Sequence, residues 1–210
     1  EAQRRRPRHP GARSDRGAQE TVRHVHGGIL PQPPVGREPG ARAAGKGLII
    51  ERTVEATALT VRFWGVRGSI ACPSPSYMGF GGNTSCVEVR VGSRLIILDA
   101  GTGIRPLGQQ LRREGALDAD ILFSHTHWDH VNGFPFFAPA FEPDNAFRVF
   151  AGHLAEEGGI REAIAGHMHE PMFPVPLDVM RARLSFTDFA AGETLALGRG
   201  LQVRTAPLNH

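Results

Sequence analysis

One stretch of this chain predicts both its fold and its chemistry: Ser124-His125-Thr126-His127-Trp128-Asp129-His130. It directly follows Ile121-Leu122-Phe123, an apolar run that is typical of a buried strand. Side chains two residues apart on an extended segment point the same way, so the first two histidines can bind one cation. The chain must then turn, which places the aspartate and the last histidine near a second position. Imidazoles together with a carboxylate suit zinc, and also manganese or iron.

The chain from about residue 55 onward alternates predicted strands with predicted helices, which is the pattern of an α/β fold. Apolar runs and period-two alternation predict strands over 60–64, 85–91, 94–98, 120–123, 147–150, 184–186 and 201–205. Helical spacing predicts helices over 104–114, 131–137 and 156–165. Gly92-Ser93 predicts a hairpin turn between the second and third strands, and 171–176 is predicted to be a loop or lid.

Residues 1–50 are rich in Arg, Pro and Gly, and this composition predicts a disordered tail. The tail carries a net charge of +6, whereas residues 51–210 carry −3, within a total of +3. A basic chain normally suggests a nucleic-acid partner, but here the positive charge lies in the tail and not in the predicted domain of 55–210. Nucleic acid is therefore a disfavoured partner.

Cys72 and Cys86 are not in a zinc-ribbon spacing, so two reduced thiols in a cytosolic protein are expected. No apolar run approaches the ~18 residues of a membrane span. Arg4-Arg5-Arg6 is not followed by the apolar core of a signal peptide. The sequence therefore predicts a cytoplasmic protein without a membrane partner, and it is compatible with a homodimer.

The histidine motif is similar to the HxHxDH signature of the metallo-β-lactamase superfamily. Further motifs resemble its phosphodiesterase branch, which includes the tRNA 3′-processing endonucleases. These motifs are WGVRGS at 64–69, GGNTS at 81–85, LDAGTG at 98–103 and PLNH at 207–210. The resemblance spans about 59–210 and implies an αββα sandwich of two similar halves. This chain would cover the first half and the start of the second.

The resemblance also implies two divalent metal ions, with Zn²⁺ favoured over Mn²⁺ and Fe²⁺. His125, His127 and His210 would bind the first ion, and Asp129 and His130 would supply part of the second site. A water or hydroxide between two cations is acidified and becomes a nucleophile at neutral pH. Asp129 is therefore predicted to be catalytic as well as a metal ligand.

Three further residues are candidates on the same resemblance. Asp99 is predicted to act in catalysis by lying beside the metals and orienting a ligand histidine, with a turn cap as the alternative. Asn83 and Thr84 are predicted to bind substrate, and the alternative is that they only shape their loop.

Two other groups near the motif have a structural role as the favoured interpretation. His167-Met168-His169 has ligand-like spacing, but a lid or structural role is expected. The aromatic residues around the motif are expected to pack in the core, and the alternative is an apolar wall on which a base stacks. These aromatic residues are Trp128, Phe134, Phe136 and Phe137.

The family pattern includes an Asp that bridges both metals and a final His, both downstream of the position of His210. Neither occurs within 1–210. The resemblance therefore predicts a partial hydrolase domain that is poorly active or inactive by itself. A chain extended past His210 would then turn over substrate much faster, and equal rates would contradict this expectation.

The leading functional hypothesis is metal-dependent hydrolysis of a phosphodiester in a small or cyclic nucleotide-like substrate. One alternative is an RNA endonuclease of the tRNA 3′-processing type, although such enzymes use a basic arm that 59–210 lacks. A second alternative is a thioester or lactam hydrolase on the same scaffold. A third is a non-catalytic domain that keeps its metal for stability.

Overall fold

The computed structural model describes residues 58–154, 156, 158–198 and 200–207. The predicted tail of 1–50 and the predicted ligand His210 lie outside these residues. Cys72 and Cys86 are both free thiols, as the sequence predicts, and Cys86 is buried. Within the described ranges, no helix has the length and apolar character needed to cross a membrane.

Strands and helices alternate along the chain, which confirms the predicted α/β class. The strands are β1 Leu59–Gly65, β2 Cys86–Val91, β3 Arg94–Leu98, β4 Asp118–Phe123, β5 Ala146–Ala151, β6 Arg183–Asp188, β7 Thr194–Gly198 and β8 Leu201–Arg204. The α-helices are α1 Ile104–Leu111, α2 Trp128–Val131 and α3 Gly159–His167. Short 3-10 helices cover Pro75–Tyr77, Phe134–Phe136, Ala138–Phe141 and Leu177–Val179.

Strands β1 to β6 form one six-stranded sheet in sequence order. β1, β2 and β3 are antiparallel neighbours, and the pairs from β3 to β6 are parallel. β7 and β8 form a separate antiparallel pair. The carboxyl ends of parallel strands meet at one edge of a sheet, so the residues that follow β3, β4 and β5 lie close together.

The two faces of the six-stranded sheet pack against different partners, because side chains alternate along each strand. In β4, Ile121 and Phe123 belong to the large core that includes the helices, whereas Leu122 packs on the other face. Leu197 of β7 packs beside Leu122 there. Burying each large aliphatic or aromatic side chain stabilises the fold by roughly 1.5–3 kcal/mol.

A buried carboxylate also joins the two sheets. The Asp120 side chain is wholly buried and accepts hydrogen bonds from Arg94 and Arg148. Arg94 also donates from Nη2 to the Leu197 carbonyl oxygen at 2.6 Å. Because a buried charge is stable only when it is paired, this contact fixes the β7–β8 pair against the larger sheet.

The prediction of one helix over 131–137 is wrong. The structure has α2 at Trp128–Val131, inside the histidine motif, followed by two separate 3-10 helices. Pro135 and Pro139 each occupy the first turn of one of these 3-10 helices. Proline has no N–H to donate and its ring clashes with the preceding turn, so one continuous helix cannot form here.

Two other helix boundaries differ from the prediction. The helix predicted over 104–114 ends at Leu111, and the one predicted over 156–165 begins at Gly159. Gly158 and Gly159 both have positive φ, so helical geometry is not reached earlier. Strand β7 was not predicted, although Leu195 and Leu197 alternate with small residues in it.

We expect Gly133→Ala to destabilise the fold by roughly 1–3 kcal/mol, since the site is already closely packed. A Cβ atom at Gly133 would overlap the carbonyl oxygen of Gly101, which is backbone and cannot rotate away. Gly166→Ala is the matched control, because a Cβ at this helical position meets no other group. Urea unfolding of both variants measures the difference, and equal midpoints would contradict the predicted backbone contact.

Candidate metal centre

The histidine motif lies at the carboxyl edge of the sheet, where two parallel strands end side by side. β4 ends at Phe123 and leads directly into Ser124, while the neighbouring β3 ends at Leu98 and leads into Asp99. The Asp99 N–H donates to the Leu122 carbonyl oxygen at 2.9 Å, which extends the pairing past the end of β3. A backbone hydrogen bond therefore joins the two segments independently of their side chains.

The Asp99 carboxylate collects hydrogen bonds from several segments. Oδ1 accepts from the backbone N–H of Ser124 at 2.8 Å, and Oδ2 accepts from the hydroxyl of Ser85 at 2.9 Å. Nδ1 of His130 lies 2.8 Å from Oδ2. Asp99 has a φ of 61°, in the left-handed region that non-glycine residues seldom adopt, and strain of this kind clusters at functional sites.

The three motif imidazoles stand close together. The ring centroid of His125 is 4.5 Å from that of His127 and 4.1 Å from that of His130. Nδ1 of His125 also lies 3.1 Å from the Ser124 hydroxyl. The structure therefore brings the three predicted histidine ligands of the motif into one cluster.

Asp129 and His130 face each other across a short gap. Nε2 of His130 is 3.3 Å from Oδ2 of Asp129, and that same oxygen accepts from the Ser69 backbone N–H at 2.8 Å. When the Nδ1–H of His130 donates to Asp99, its Nε2 carries a lone pair that points toward a carboxylate oxygen. Two acceptors facing each other are stable only with a proton or a cation between them.

The Asp129 carboxyl is kept in its ionised form. Burial tends to raise its pKa, but the N–H groups of Ser69 and Asp129 and the nearby imidazoles of His130 and His125 outweigh burial. The net effect is a pKa below the ordinary value for aspartate. An ionised carboxylate is the form that binds a metal ion.

The donor set fits a divalent metal in kind but supplies only part of each site. His125 and His127 give two imidazoles for the first position, and its predicted third ligand, His210, is outside the described residues. Asp129 and His130 give one carboxylate and one imidazole for the second. Across the described ranges, no three His, Cys, Asp or Glu side chains form a group arranged to hold one ion. The two-metal prediction thus stays a prediction.

A cavity of about 620 Å³ opens beside the motif, and we call it the main cavity. Ser124, His125 and His127 line it together with apolar side chains such as Leu98 and Phe189. This volume is within the range of small-molecule binding sites. The motif therefore faces a space large enough for a substrate.

Asn83 and Thr84 are engaged within their own loop. The Thr84 side chain is wholly buried, and its hydroxyl oxygen accepts from the Thr102 backbone N–H at 2.8 Å. The Asn83 side-chain oxygen accepts from the Thr102 hydroxyl at 3.1 Å. These bonds support the alternative that both residues shape the loop, and substrate contact stays a prediction.

The aromatic residues around the motif divide into two kinds. Phe134 and Phe137 are wholly buried in the core, as expected. Trp128 and Phe136 are instead exposed, at 59% and 52%, so the expectation of core packing is wrong for these two. Exposure follows from their positions in short helices whose opposite faces carry the buried side chains Asp129 and Phe134.

The pair His167 and His169 does not act as one ligand set. His167 is half-buried near the end of α3, Met168 is buried in the core, and His169 is exposed and bonds the Glu170 carbonyl oxygen. Burial lowers the pKa of His167. This arrangement fits the structural role that the sequence favours.

Two residues of the site, Ser69 and His153, were not predicted from the sequence. Ser69 contributes only a backbone N–H, which any residue could supply. His153 was not predicted as a site residue, yet its Nε2 lies 3.0 Å from the Thr126 hydroxyl, and it lines the main cavity. Its position after β5, beside the end of β4, is the signal that could have identified it.

No protein-family model and no curated protein matches the chain. Solved structures do match. The chain is similar to metallo-β-lactamase-fold proteins. A metallo-β-lactamase-fold protein of Bacillus subtilis, YhfI, is 17% identical, with 67% of this chain and 50% of that chain covered and a TM-score of 0.45.

Two further metallo-β-lactamase-fold structures match to a comparable extent. A diphosphatase of the PhnP family is 18% identical over 67% of this chain and 54% of its own, with a TM-score of 0.46. The Zn²⁺-bound PqqB of Methylobacterium extorquens is 18% identical over 70% of this chain and 55% of its own, with a TM-score of 0.48. This chain thus spans about half the length of the solved structures that it matches.

We expect the His130 imidazole to be protonated on Nδ1 when it is neutral, because Asp99 accepts a hydrogen bond there. Nitrogen-15 NMR of the imidazole rings distinguishes the two tautomers. Asp99→Ala removes this acceptor and should shift His130 toward the mixed population of a free imidazole, for which free histidine in the same buffer is the reference. An unchanged His130 spectrum in this variant would show that Asp99 does not orient the ring.

Proposed function

We propose that this chain supplies part of the active site of a metal-dependent phosphodiesterase that acts on a small or cyclic nucleotide-like phosphodiester. The observation that carries the proposal is the arrangement of Asp99, His130 and Asp129. Asp99 holds Nδ1 of the imidazole, and Nε2 is left 3.3 Å from a carboxylate oxygen. A carboxylate behind a ligand histidine is a recurrent feature of catalytic metal sites.

The residues present suit two divalent cations, with Zn²⁺ favoured because the donors are imidazoles and a carboxylate. Bound there, such cations would lower the pKa of a coordinated water and neutralise the charge on phosphate oxygens. His125 and His127 would hold one cation, and Asp129 and His130 the other. In the proposal, His210 completes the first of these two sets.

The protein's own groups orient the metal ligands and exclude water from part of the substrate. Asp99 fixes the orientation of His130, and the Ser69 N–H fixes the Asp129 carboxylate. The apolar wall of the main cavity, which includes Leu98 and Phe189, excludes water from one side of the substrate. A dry wall strengthens the attraction between fixed charges and a phosphodiester anion.

The size of the main cavity supports a small substrate. About 620 Å³ is enough for a mononucleotide-sized molecule. Both cysteines are free, which supports a cytoplasmic location as part of the proposal. A homodimer is compatible with this assignment, and neither a nucleic acid nor a membrane is required as a partner.

We expect Asp129→Asn to reduce Zn²⁺ binding by this chain and, in a chain extended past His210, to reduce the rate of bis(p-nitrophenyl) phosphate hydrolysis by at least about 100-fold, because a charged ligand is lost. Asp178→Asn is the matched control, since the Asp178 side chain is 86% exposed and lies on the short helix at Leu177–Val179. Competition with a chromogenic chelator measures Zn²⁺ affinity, and product absorbance measures the rate.

Three outcomes would contradict the proposed function. Purified protein that binds no divalent metal and is unaffected by chelators would exclude metal-dependent hydrolysis. Turnover of a thioester but not of the phosphodiester would assign a different hydrolase on the same scaffold. Binding of structured RNA that weakens steeply with salt, together with its cleavage, would favour the endonuclease.

A further inference from the structure

A second cavity, of about 340 Å³, adjoins the main cavity at Thr126, which lines both. We call it the side cavity. It is lined by Thr126, Trp128, Val131, Ala163, Ile164 and His167. The side cavity is mostly apolar and begins one residue away from the ligand-type His125 and His127. A substrate held at the motif would therefore have a second space within reach.

Trp128 presents an unusual surface to this space. It is 59% exposed although it sits between His127 and Asp129, whereas Phe134 and Phe137 nearby are wholly buried. Its indole meets the His167 imidazole nearly at a right angle, with the ring centroids 4.5 Å apart. An edge contact of this kind steadies an aromatic ring and leaves the rest of its surface available.

His167 adds a polar atom to the same place. Its Nε2 is buried and, among the described residues, has no hydrogen-bond partner. Burial lowers the pKa of this imidazole, so it is neutral at neutral pH and offers one donor and one acceptor. A buried polar atom without a partner is costly, so a ring in the side cavity would gain a hydrogen bond if the imidazole turned to bring Nε2 into contact with it.

Building on the proposed phosphodiesterase function, we propose that the side cavity binds a planar nitrogen-containing ring of the substrate, such as a nucleobase. Trp128 would supply the stacking surface and His167 a hydrogen bond to a ring heteroatom. A heteroaromatic ring matches both features, because it has a π face and polar edges. An alkyl chain would stack poorly and would leave the His167 nitrogen without a partner.

Fluorescence tests this proposal without any need for turnover. The chain has two Trp residues, so Trp64→Phe leaves Trp128 as its single indole. We expect adenosine and adenosine 5′-monophosphate to quench the Trp128 emission in a saturable way. Ribose 5-phosphate carries the phosphate without the ring, and it should leave the emission unchanged.

Variants assign the binding to the two residues. Trp128→Leu should weaken adenosine 5′-monophosphate binding, measured by calorimetry, by roughly tenfold. His167→Phe keeps an aromatic edge beside Trp128 but removes the ring nitrogens, and it should weaken binding by roughly threefold to tenfold. Phe80→Leu is the control, because Phe80 is an exposed aromatic residue that lines neither cavity.

Trp64 donates a hydrogen bond to the buried Glu88, so Trp64→Phe must first be shown to fold by circular dichroism. If it does not fold, the difference in emission between the wild-type chain and Trp128→Leu gives the same readout. Equal affinity for adenosine 5′-monophosphate and ribose 5-phosphate would overturn the proposal. Quenching that depends on protein concentration without ligand would also overturn it, since another copy would then cover the indole.

The proposed function and the ring site can each be disproved without disproving the other. Ring binding that depends on Trp128, in a chain extended past His210 that hydrolyses no phosphodiester, would keep the ring site and exclude the phosphodiesterase. The reverse result is phosphodiester hydrolysis with the same affinity for adenosine 5′-monophosphate in the wild-type chain and in Trp128→Leu. It would keep the phosphodiesterase and exclude the ring site.

Discussion

The candidate site depends on one buried carboxylate. Asp99 accepts hydrogen bonds from the hydroxyl of Ser85 before β2, from the backbone of Ser124 after β4, and from the ring of His130 in α2. Ser85 is distant in sequence from Ser124 and His130, which both belong to the histidine motif, and Asp99 joins them. The left-handed backbone of Asp99 turns the carboxylate toward all three. The same carboxylate therefore holds the histidine motif of 124–130 in place and orients one of its predicted ligands, His130.

Much of this arrangement was predictable because the signals are local. Period-two alternation marked β2 and β3, an apolar run marked β4, and the motif followed β4 directly. The family resemblance placed Asp99 beside a ligand histidine, and the structure shows that this histidine is His130. Since parallel strands end at a shared edge, the position of His153 after β5, beside the end of β4, would have drawn it into the site.

What the sequence could not provide depends on tertiary contacts or on backbone groups. Trp128 and Phe134 are both large aromatic residues near the motif, and only the packing of α2 and the 3-10 helices decides which is buried. The role of Ser69 is a backbone N–H and carries no residue-type signal. Strand β7 is short and rich in small residues, and it is held by Arg94 from a distant strand as well as by its own pattern.

The close approach of two backbone segments at the motif has a wider consequence. Gly101 and Gly133 leave no space for a side chain between them, and the Ala100 N–H donates to the His130 carbonyl oxygen at 2.7 Å. The histidine motif of 124–130 and the residues that follow β3 are therefore held together by their backbones. Sequence changes that leave this contact intact are then expected in surface segments such as 171–176, whereas 66–80 holds the Ser69 N–H that fixes the Asp129 carboxylate.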